Sequence, residues 1–415
     1  MRVGIVGLGY VGLPLAVAFG EAGNEVVGFD TDPRLVSGLA AGRSSIEDVP
    51  AERVAALGDA FQPTTDRERL ARCDAVVICV PTPLANQREP DLTYIVDAAN
   101  SLSRVLRRGQ LVVLESTTYP GTTRERLLPI LEESGLAGGR DFHLAYSPER
   151  IDPGRVDHTI RTTPKVVGGL TDRCRERAVE LYGEICDEVV EVSTTEAAEL
   201  TKLLENVFRS VNIALVNELA QLSERMEIDL WEVIDAASTK PFGFMRFEPG
   251  PGMGGHCLPV DPFYLAFKAR EHDFYTEFVE LAGKINQNQP LFCVRRMERA
   301  LNEVGKPMKG SRVLLLGVAY KAGVGDLREA PALKIARHVI ELGATLSYHD
   351  PHCPEVPELG LSSASLETEL GAADLVAIVT AHPEVDYERV VRDAALVLDF
   401  RGVTRGIEAA NVVRL

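Results

Sequence analysis

The sequence predicts an α/β protein built on two doubly wound parallel sheets, and three observations carry that expectation. Apolar runs too short for helices alternate with longer helical patterns, this order returns in the second half, and a long stretch poor in helix breakers separates the halves. In the first half, Val3 to Gly7 is an apolar run ending in glycine. An alanine-rich helical pattern follows, then Glu25 to Asp30, a run ending in an acid. This is a β-α-β unit. Asp74 to Val80, ending at Pro81-Thr82-Pro83, has the length and composition of a buried parallel strand. So does Gln110 to Leu114, ending at Glu115-Ser116-Thr117-Thr118.

From Arg312 the order repeats: Val313 to Gly317, a helical stretch through Ile340, Ala344 to Asp350, Ala373 to Thr380, and Ala395 to Arg401. Between the halves, Ser193 to Arg225 has apolar residues at helical spacing. The expected architecture is therefore two Rossmann-like doubly wound domains joined by a long central helix region, with boundaries at 1–192, 193–302 and 303–415. The central helix is expected to act as a spacer and dimer face, giving a homodimer or higher homo-oligomer.

A length of 415 residues suits two or three domains, enough to bury an active site. Lys and Arg total 44 against 61 Asp and Glu, a net charge of -17 that offers nucleic acid or an anionic membrane no general attraction. Neither is expected as a partner, and an anionic ligand must be met by local positive groups. A strand-like run already begins at position 3, which leaves no room for a signal peptide, and no stretch is long and apolar enough for a membrane helix, so a cytoplasmic location is expected. The seven cysteines (73, 79, 174, 186, 257, 293, 353) are odd in number and lack metal-ligand spacing. Free thiols and no metal are expected.

Gly7-Leu8-Gly9-Tyr10-Val11-Gly12 fits G-x-G-x-x-G directly after a strand and before a helix, where glycines permit a tight turn and close approach to a pyrophosphate. Asp30 ends the next strand, placed to accept hydrogen bonds from both ribose hydroxyls and to repel a 2′-phosphate. The expected cofactor is NAD. The matching turn of the second half reads Gly317-Val318-Ala319-Tyr320-Lys321 and lacks the fingerprint. Lys321 suits a phosphate-bearing ligand or a solvated surface equally well.

The stretch from Phe247 to Pro262, Phe-Glu-Pro-Gly-Pro-Gly-Met-Gly-Gly-His-Cys-Leu-Pro-Val-Asp-Pro, is the most unusual in the chain. So many glycines and prolines make a rigid loop whose amides can approach a ligand, and the loop presents Cys257 beside His256. Such a thiol can titrate low enough to be a nucleophile. This loop resembles that of the UDP-glucose and UDP-N-acetylhexosamine dehydrogenase family, in which G-G-x-C-x-x-x-D holds the catalytic cysteine. The likeness extends through Gly-Leu-Gly-Tyr-Val-Gly-Leu-Pro (7–14), Val-Pro-Thr-Pro (80–83), Glu-Ser-Thr-Thr-Tyr-Pro-Gly-Thr-Thr (115–123) and Ser-Pro-Glu-Arg (147–150). Thr-Lys-Leu-Leu-Glu-Asn (201–206) and Gly-Val-Ala-Tyr-Lys (317–321) continue it.

The resemblance implies a nucleotide-sugar 6-dehydrogenase that oxidises a hexose C6 hydroxyl to a carboxylate in two NAD-dependent steps, through a thiohemiacetal and a thioester on Cys257. Lys202 and Asn206, four apart on a helix, can face one pocket, and in the family such a pair stabilises developing oxyanions. By the same resemblance Asp261 orients water or accepts a proton, Glu149 is the base for thioester hydrolysis, and Thr118 sits with Glu149 and the water. Cofactor contacts are expected from Gly7, Gly9, Tyr10, Val11, Gly12, Asp30, Pro81, Thr82, Thr118 and Arg328, with Arg34 at the adenosine ribose. Nucleotide-sugar contacts are expected from Glu149, Arg150, Lys202, Asn206, Phe247, Gly250, Gly254, Lys321 and Arg401. Val260 stands where the UDP-glucose branch more often carries lysine, so the N-acetylhexosamine branch fits better, and Ser-Thr-Thr-Tyr-Pro (116–120) and Glu-Arg-Ile-Asp-Pro-Gly (149–154) resemble its UDP-N-acetylglucosamine 6-dehydrogenases most, with Arg246 a departure from that pattern. UDP-glucose or dTDP-glucose is the alternative substrate.

Asp30 generates a direct test. NADP should be used at least roughly 100-fold less efficiently than NAD, because its extra phosphate meets a carboxylate. Comparable kcat/KM values for the two cofactors would remove Asp30 from the ribose site.

Overall fold

Strands form where the apolar runs lie. The computed structural model describes residues 1–44, 46, 49–85, 89–151, 158–255 and 258–415. Among these residues a first sheet has eight strands: β1 (Arg2–Val6), β2 (Glu25–Phe29), β3 (Phe61–Thr64), β4 (Ala75–Ile78), β5 (Leu111–Leu114), β6 (His143–Tyr146), β7 (Lys165–Gly169) and β8 (Val189–Val192). Their order is β3-β2-β1-β4-β5-β6-β7-β8, and every pair is parallel except β6 with β7. The first six follow the dinucleotide-binding order, with the switch point between β1 and β4. Val3, Ile5 and Val77 point into one core, Val6, Val76 and Ile78 into another. Both faces are covered, so the central strands β4 and β5 are apolar at every position. Lys165, which opens β7, is almost wholly buried.

The second sheet repeats the principle in a different order. Its strands β9 (Arg312–Leu316) and β10 (Thr345–His349) are followed by a small hairpin, β11 (Glu355–Val356) with β12 (Leu361–Ser362), and then by β13 (Leu375–Ile378), β14 (Val397–Asp399) and β15 (Val412–Arg414). The parallel order is β10-β9-β13-β14-β15, the other common doubly wound arrangement, with its switch point between β9 and β13. The run expected as Ala395 to Arg401 is strand only over Val397–Asp399. Beyond it the Asp399 carboxylate accepts the Arg401, Gly402 and Thr404 amides and turns the chain.

The helix expected over Ser193 to Arg225 spans Thr195–Met226. The chain divides into two compact units, Met1–Glu205 with Phe263–Phe274, and Asn206–Pro262 with Tyr275–Leu415. Within the second unit the long helix is tied to the helix Glu277–Glu303 by amide bonds from Asn217 to Asn286 (3.1 Å) and from Gln221 to Gln289 (2.9 Å). No helix among the described residues is long and apolar enough to cross a membrane.

At the end of β10, Asp350 occupies the place that Asp30 takes at the end of β2. It is buried, and its two oxygens accept the amides of Val318 (2.7 Å), Ala319 (3.0 Å), His352 (2.9 Å) and Cys353 (3.0 Å), and the His382 imidazole (3.0 Å). The His382 Nδ1 accepts the Gly323 amide, so Nε2 is the donor to Asp350. This carboxylate is fully occupied by its own loops. Although burial opposes the charge, His382 and the amides hold the Asp350 pKa below the ordinary carboxylate range. Its stabilising contribution is therefore present above the unfolded-state pKa and lost as pH falls towards the depressed one. Asp350→Ala leaves several buried donors unpaired and should cost about 3 kcal/mol or more in chemical denaturation at pH 7. An unchanged midpoint would show that the Asp350 bonds do not hold these loops.

Candidate functional site

The turn after β1 shows why each glycine stands where it does. Gly7 has φ +90°, and a Cβ there would lie 2.6 Å from the Cys79 carbonyl oxygen. A Cβ on Gly12 would lie 1.8 Å from the Gly7 carbonyl oxygen, so helix and turn could not close. A Cβ on Gly9 would meet nothing within 4 Å. The open space over Gly9 is where a pyrophosphate can approach backbone. The helix Gly12–Glu21 has no side-chain cap and no acid in its first turn, which leaves its N-terminal amides to an anion. Asp30 accepts the Leu8 and Asp32 amides (2.9 Å each) and, unlike Asp350, remains partly exposed. These residues fit NAD. The Arg34 side chain is largely in solvent, Tyr10 and Pro81 are exposed, Val11 is half-buried, and Thr82 is buried with its carbonyl accepting the Tyr264 hydroxyl (2.5 Å).

Beyond β5 and β6 the first unit gathers a charged cluster. Glu149 accepts the Arg150 and Ile151 amides through Oε1 (2.7 and 2.6 Å), while its Oε2 lies 3.3 Å from the Lys165 Nζ. Lys165 also pairs with Glu115, which accepts the Tyr182 hydroxyl (2.6 Å). Burial pushes the Glu115 pKa up to about 7, against the pull of Lys165. Burial would also raise Glu149, but the charge of Lys165, the Ile151 amide and Lys202 bring it down to about 2. Lys202 is buried, and among the described residues its ammonium has no hydrogen-bond or ion-pair partner. An unpaired cation in such a place is available to an oxyanion. Arg150 is paired with Glu205 (2.7 Å) and the Pro164 carbonyl (2.6 Å).

Thr118 is buried and shares a hydrogen bond with Thr122 (2.7 Å), with no direct bond to Glu149 among the described residues. Its loop is held by Glu199 on the long helix, which accepts the Gly121 and Thr123 amides (2.6 and 2.8 Å) and the Thr123 hydroxyl (2.7 Å). Burial raises the Glu199 pKa to about 7.

In the second unit the described residues of the glycine-proline loop are held at several points. The Gly250 amide donates to Asn217 (3.0 Å) and its carbonyl accepts from Gln289 (3.0 Å). A Cβ on Gly250 would lie 2.5 Å from the Arg401 guanidinium, which has no ion-pair partner among the described residues. Phe247 packs edge-on against Phe208, with ring centroids 5.8 Å apart. Gly254 and Gly255 lie under Tyr320, too close for a side chain, and the Gly255 amide donates to the Arg328 carbonyl (3.0 Å). Asp261 opens the next helix and accepts the Asn206 amide. His256 and Cys257 lie outside the described residues, between these two anchors. Lys321 is half-buried, and the Arg328 side chain pairs with Asp326 (2.6 Å).

The structure places Glu149 and Lys202 in one unit and Asn206, Asp261, Gly250 and Arg401 in the other. The sequence reading assigned no role to Glu115, Lys165, Tyr182, Glu199 or Tyr264. The available signal was a lysine opening an otherwise apolar strand and a glutamate ending another. The glycine turn yields a paired test. Gly9→Ala should leave the melting temperature unchanged and abolish NAD binding by calorimetry. Gly12→Ala should destabilise the fold by about 3 kcal/mol, because the clash is with backbone. Equal melting temperatures for the two variants would contradict this geometry.

Three family models match in order. They are the UDP-glucose/GDP-mannose dehydrogenase family NAD binding domain over residues 1–186, its central domain over 196–288, and its UDP binding domain over 314–406. Among similar proteins, the UDP-N-acetyl-D-glucosamine 6-dehydrogenase of Pseudomonas aeruginosa is 37% identical over 389 residues, 92% of this chain and 91% of that protein. The UDP-N-acetyl-D-mannosamine dehydrogenase of Pyrococcus horikoshii is 34% identical over 430 residues, 98% of this chain and 100% of that one. A solved structure of a UDP-D-ManNAc dehydrogenase from Pyrococcus horikoshii superposes with a TM-score of 0.90 at 32% identity, covering 100% of this chain and 98% of that chain. The dinucleotide turn, the doubly wound sheets and these full-length matches agree: the chain belongs to the UDP-glucose/GDP-mannose dehydrogenase family of NAD-dependent oxidoreductases.

Proposed function

We propose that this protein oxidises the C6 hydroxyl of a UDP-N-acetylhexosamine, UDP-N-acetylglucosamine first among them, to the uronic acid, with Cys257 as nucleophile. The observation that carries this reading is the unpaired Lys202 ammonium near the Glu149 carboxylate, an arrangement suited to oxyanion stabilisation beside a base. NAD, when bound over Gly9 and Asp30, supplies the hydride acceptor for both oxidations. The protein's own groups do the rest. The Cys257 thiolate adds to the C6 aldehyde, so that the intermediate stays attached, and the second oxidation leaves a thioester. Lys202 and Asn206 stabilise the oxygen on which negative charge develops, Asp261 orients Asn206 and water, and Glu149 takes a proton from the water that cleaves the thioester.

Arg401 and Lys321 are assigned to the nucleotide sugar, as are Phe247, Gly250 and Gly254. Glu149, Arg150, Lys202 and Asn206 complete that set. Thr82, Thr118, Arg34 and Arg328 are assigned to the cofactor with Tyr10, Val11 and Pro81. The functional division is taken as 1–192 for NAD, 193–302 for the central helices and cysteine loop, and 303–415 for the nucleotide sugar. A homodimer is supported by the long helix, on which Leu215, Leu222 and Met226 are each at least half exposed, and a cytoplasmic location belongs to the same reading. The relatives named above carry N-acetylhexosamine dehydrogenase names, which favours such a substrate over UDP-glucose and dTDP-glucose.

The test is a panel of UDP-N-acetylglucosamine, UDP-N-acetylmannosamine, UDP-glucose and dTDP-glucose with NADH counted per sugar. Two NADH per UDP-N-acetylhexosamine are expected. Cys257→Ser should lower steady-state turnover roughly 1,000-fold or more, since an oxygen ester is a poorer acyl donor than a thioester. One NADH per sugar, or wild-type rates in Cys257→Ser, would refute the thioester route.

A further inference from the structure

A difficulty arises at the base. Glu149 is held as an anion by two amides and by Lys165, and its pKa of about 2 makes it a weak acceptor of a proton from water. A second carboxylate, Glu115, is buried against the same lysine. Two carboxylates share one cation here, so the cluster carries one negative charge more than it neutralises and has a place for one proton. The Tyr182 hydroxyl donates to the far oxygen of Glu115, which orients the near one towards Lys165. Both carboxyl groups lie at hydrogen-bond distance from the one Lys165 ammonium, which sets them side by side.

Resting on the thioester reading above, we propose that Glu115 is the store for the hydrolytic proton, receiving it from Glu149 while the shared Lys165 holds the two carboxyl groups together. In the step, water oxygen bonds to the thioester carbonyl carbon and one water proton passes to Glu149. Glu149 hands that proton to Glu115 and is again a carboxylate. Collapse of the tetrahedral adduct breaks the C–S bond, and Cys257 leaves as thiolate. No electrons change hands, and Lys165 stays an ammonium throughout. Glu115 later returns its proton by the same route, since it has almost no exposure of its own. Glu115 acts through Glu149 and does not touch the substrate.

The downhill direction follows from the surroundings. Burial favours the neutral form of Glu115 and leaves it with a pKa of about 7, well above that of Glu149. The groups facing the pair are Lys165, Tyr182, the buried thiols of Cys79 and Cys186, and, for Glu149, Lys202. Both thiols have pKa values raised by burial and stay protonated near neutrality. They do not compete for the proton.

Glu115→Gln keeps the shape and removes the store. Stopped-flow absorbance of the full-length enzyme with NAD and UDP-N-acetylglucosamine should still show the burst of two NADH per active site, because both oxidations precede hydrolysis. The steady-state rate should fall about 100-fold, the scale of general acid-base catalysis, and mass spectrometry should find the acyl adduct accumulating on Cys257. The wild-type rate should rise with pH through about 7, as Glu115 loses its proton and can accept another. That limb should be absent in Glu115→Gln. Tyr182→Phe, a milder change, removes a donor to the Glu115 anion and should move the limb to higher pH. Loss of the burst along with the steady-state rate would assign Glu115 a purely structural role and overturn the proposal, as would an unchanged limb in both variants. The Cys257→Ser control separates the two layers. Wild-type turnover there sinks the thioester reading and this inference with it, whereas a normal dependence on Cys257 with unaltered Glu115→Gln kinetics sinks the proton store alone.

Discussion

Where a parallel strand ends, the amides of the following loop lose their ladder partners and must find acceptors elsewhere. In this protein carboxylates supply them. Asp30 takes the amides of Leu8 and Asp32, Asp350 those of both loops beside it, and Asp399 three amides after β14. Glu149 and Glu199 do the same for the loops after β6 and β5. Each bond fixes a loop at the carboxyl edge of a sheet, which is where doubly wound folds bind ligands. The fold and the site therefore share one set of interactions. The difference between Asp30 and Asp350 follows from how far each is occupied: the first retains exposure for a ligand, and the second is enclosed by its own donors.

The cations are distributed with the same economy. A net charge of -17 means that most Lys and Arg face an acid, and Arg150, Lys165, Arg246, Arg296 and Arg328 are all paired. Lys202 and Arg401 depart from that pattern among the described residues. Burying a cation without a partner is costly, and under the proposed function an anionic oxygen of the substrate completes Lys202. On that reading an acidic chain holds an anionic substrate through local groups, against its overall field.

Much of this was legible in the residues because backbone geometry leaves few choices. The turn from Gly7 to Gly12 requires glycine for the positive φ at Gly7 and because a Cβ on Gly12 would fall 1.8 Å from the Gly7 carbonyl oxygen, so its pattern survives in the sequence. The buried central strands of both halves were readable as apolar runs. The edge strand β3, Phe-Gln-Pro-Thr, has no such run and contains a proline that only an edge tolerates, so periodicity passes over it. The pairing of Glu115 with Lys165 was hidden for another reason. Fifty positions separate the two, and they meet through the order of β5, β6 and β7, which no local spacing encodes. A buried lysine at the head of a strand is a sign of such a partner without naming it.

None of the described cysteines, 73, 79, 174, 186, 293 and 353, is in a disulfide, and all are buried. Packing rather than disulfide pairing keeps them inert, and burial raises the pKa of Cys73, Cys79, Cys186 and Cys293. For covalent chemistry this leaves six of the seven cysteines shielded in the native fold. A mild electrophile applied to the native fold at neutral pH meets six shielded thiols, so an incorporated label per chain reads directly on the seventh. The same shielding makes fluorophore attachment, crosslinking or electrophilic fragment screening at Cys257 a question of one position, with the unfolded chain as the natural count of all seven.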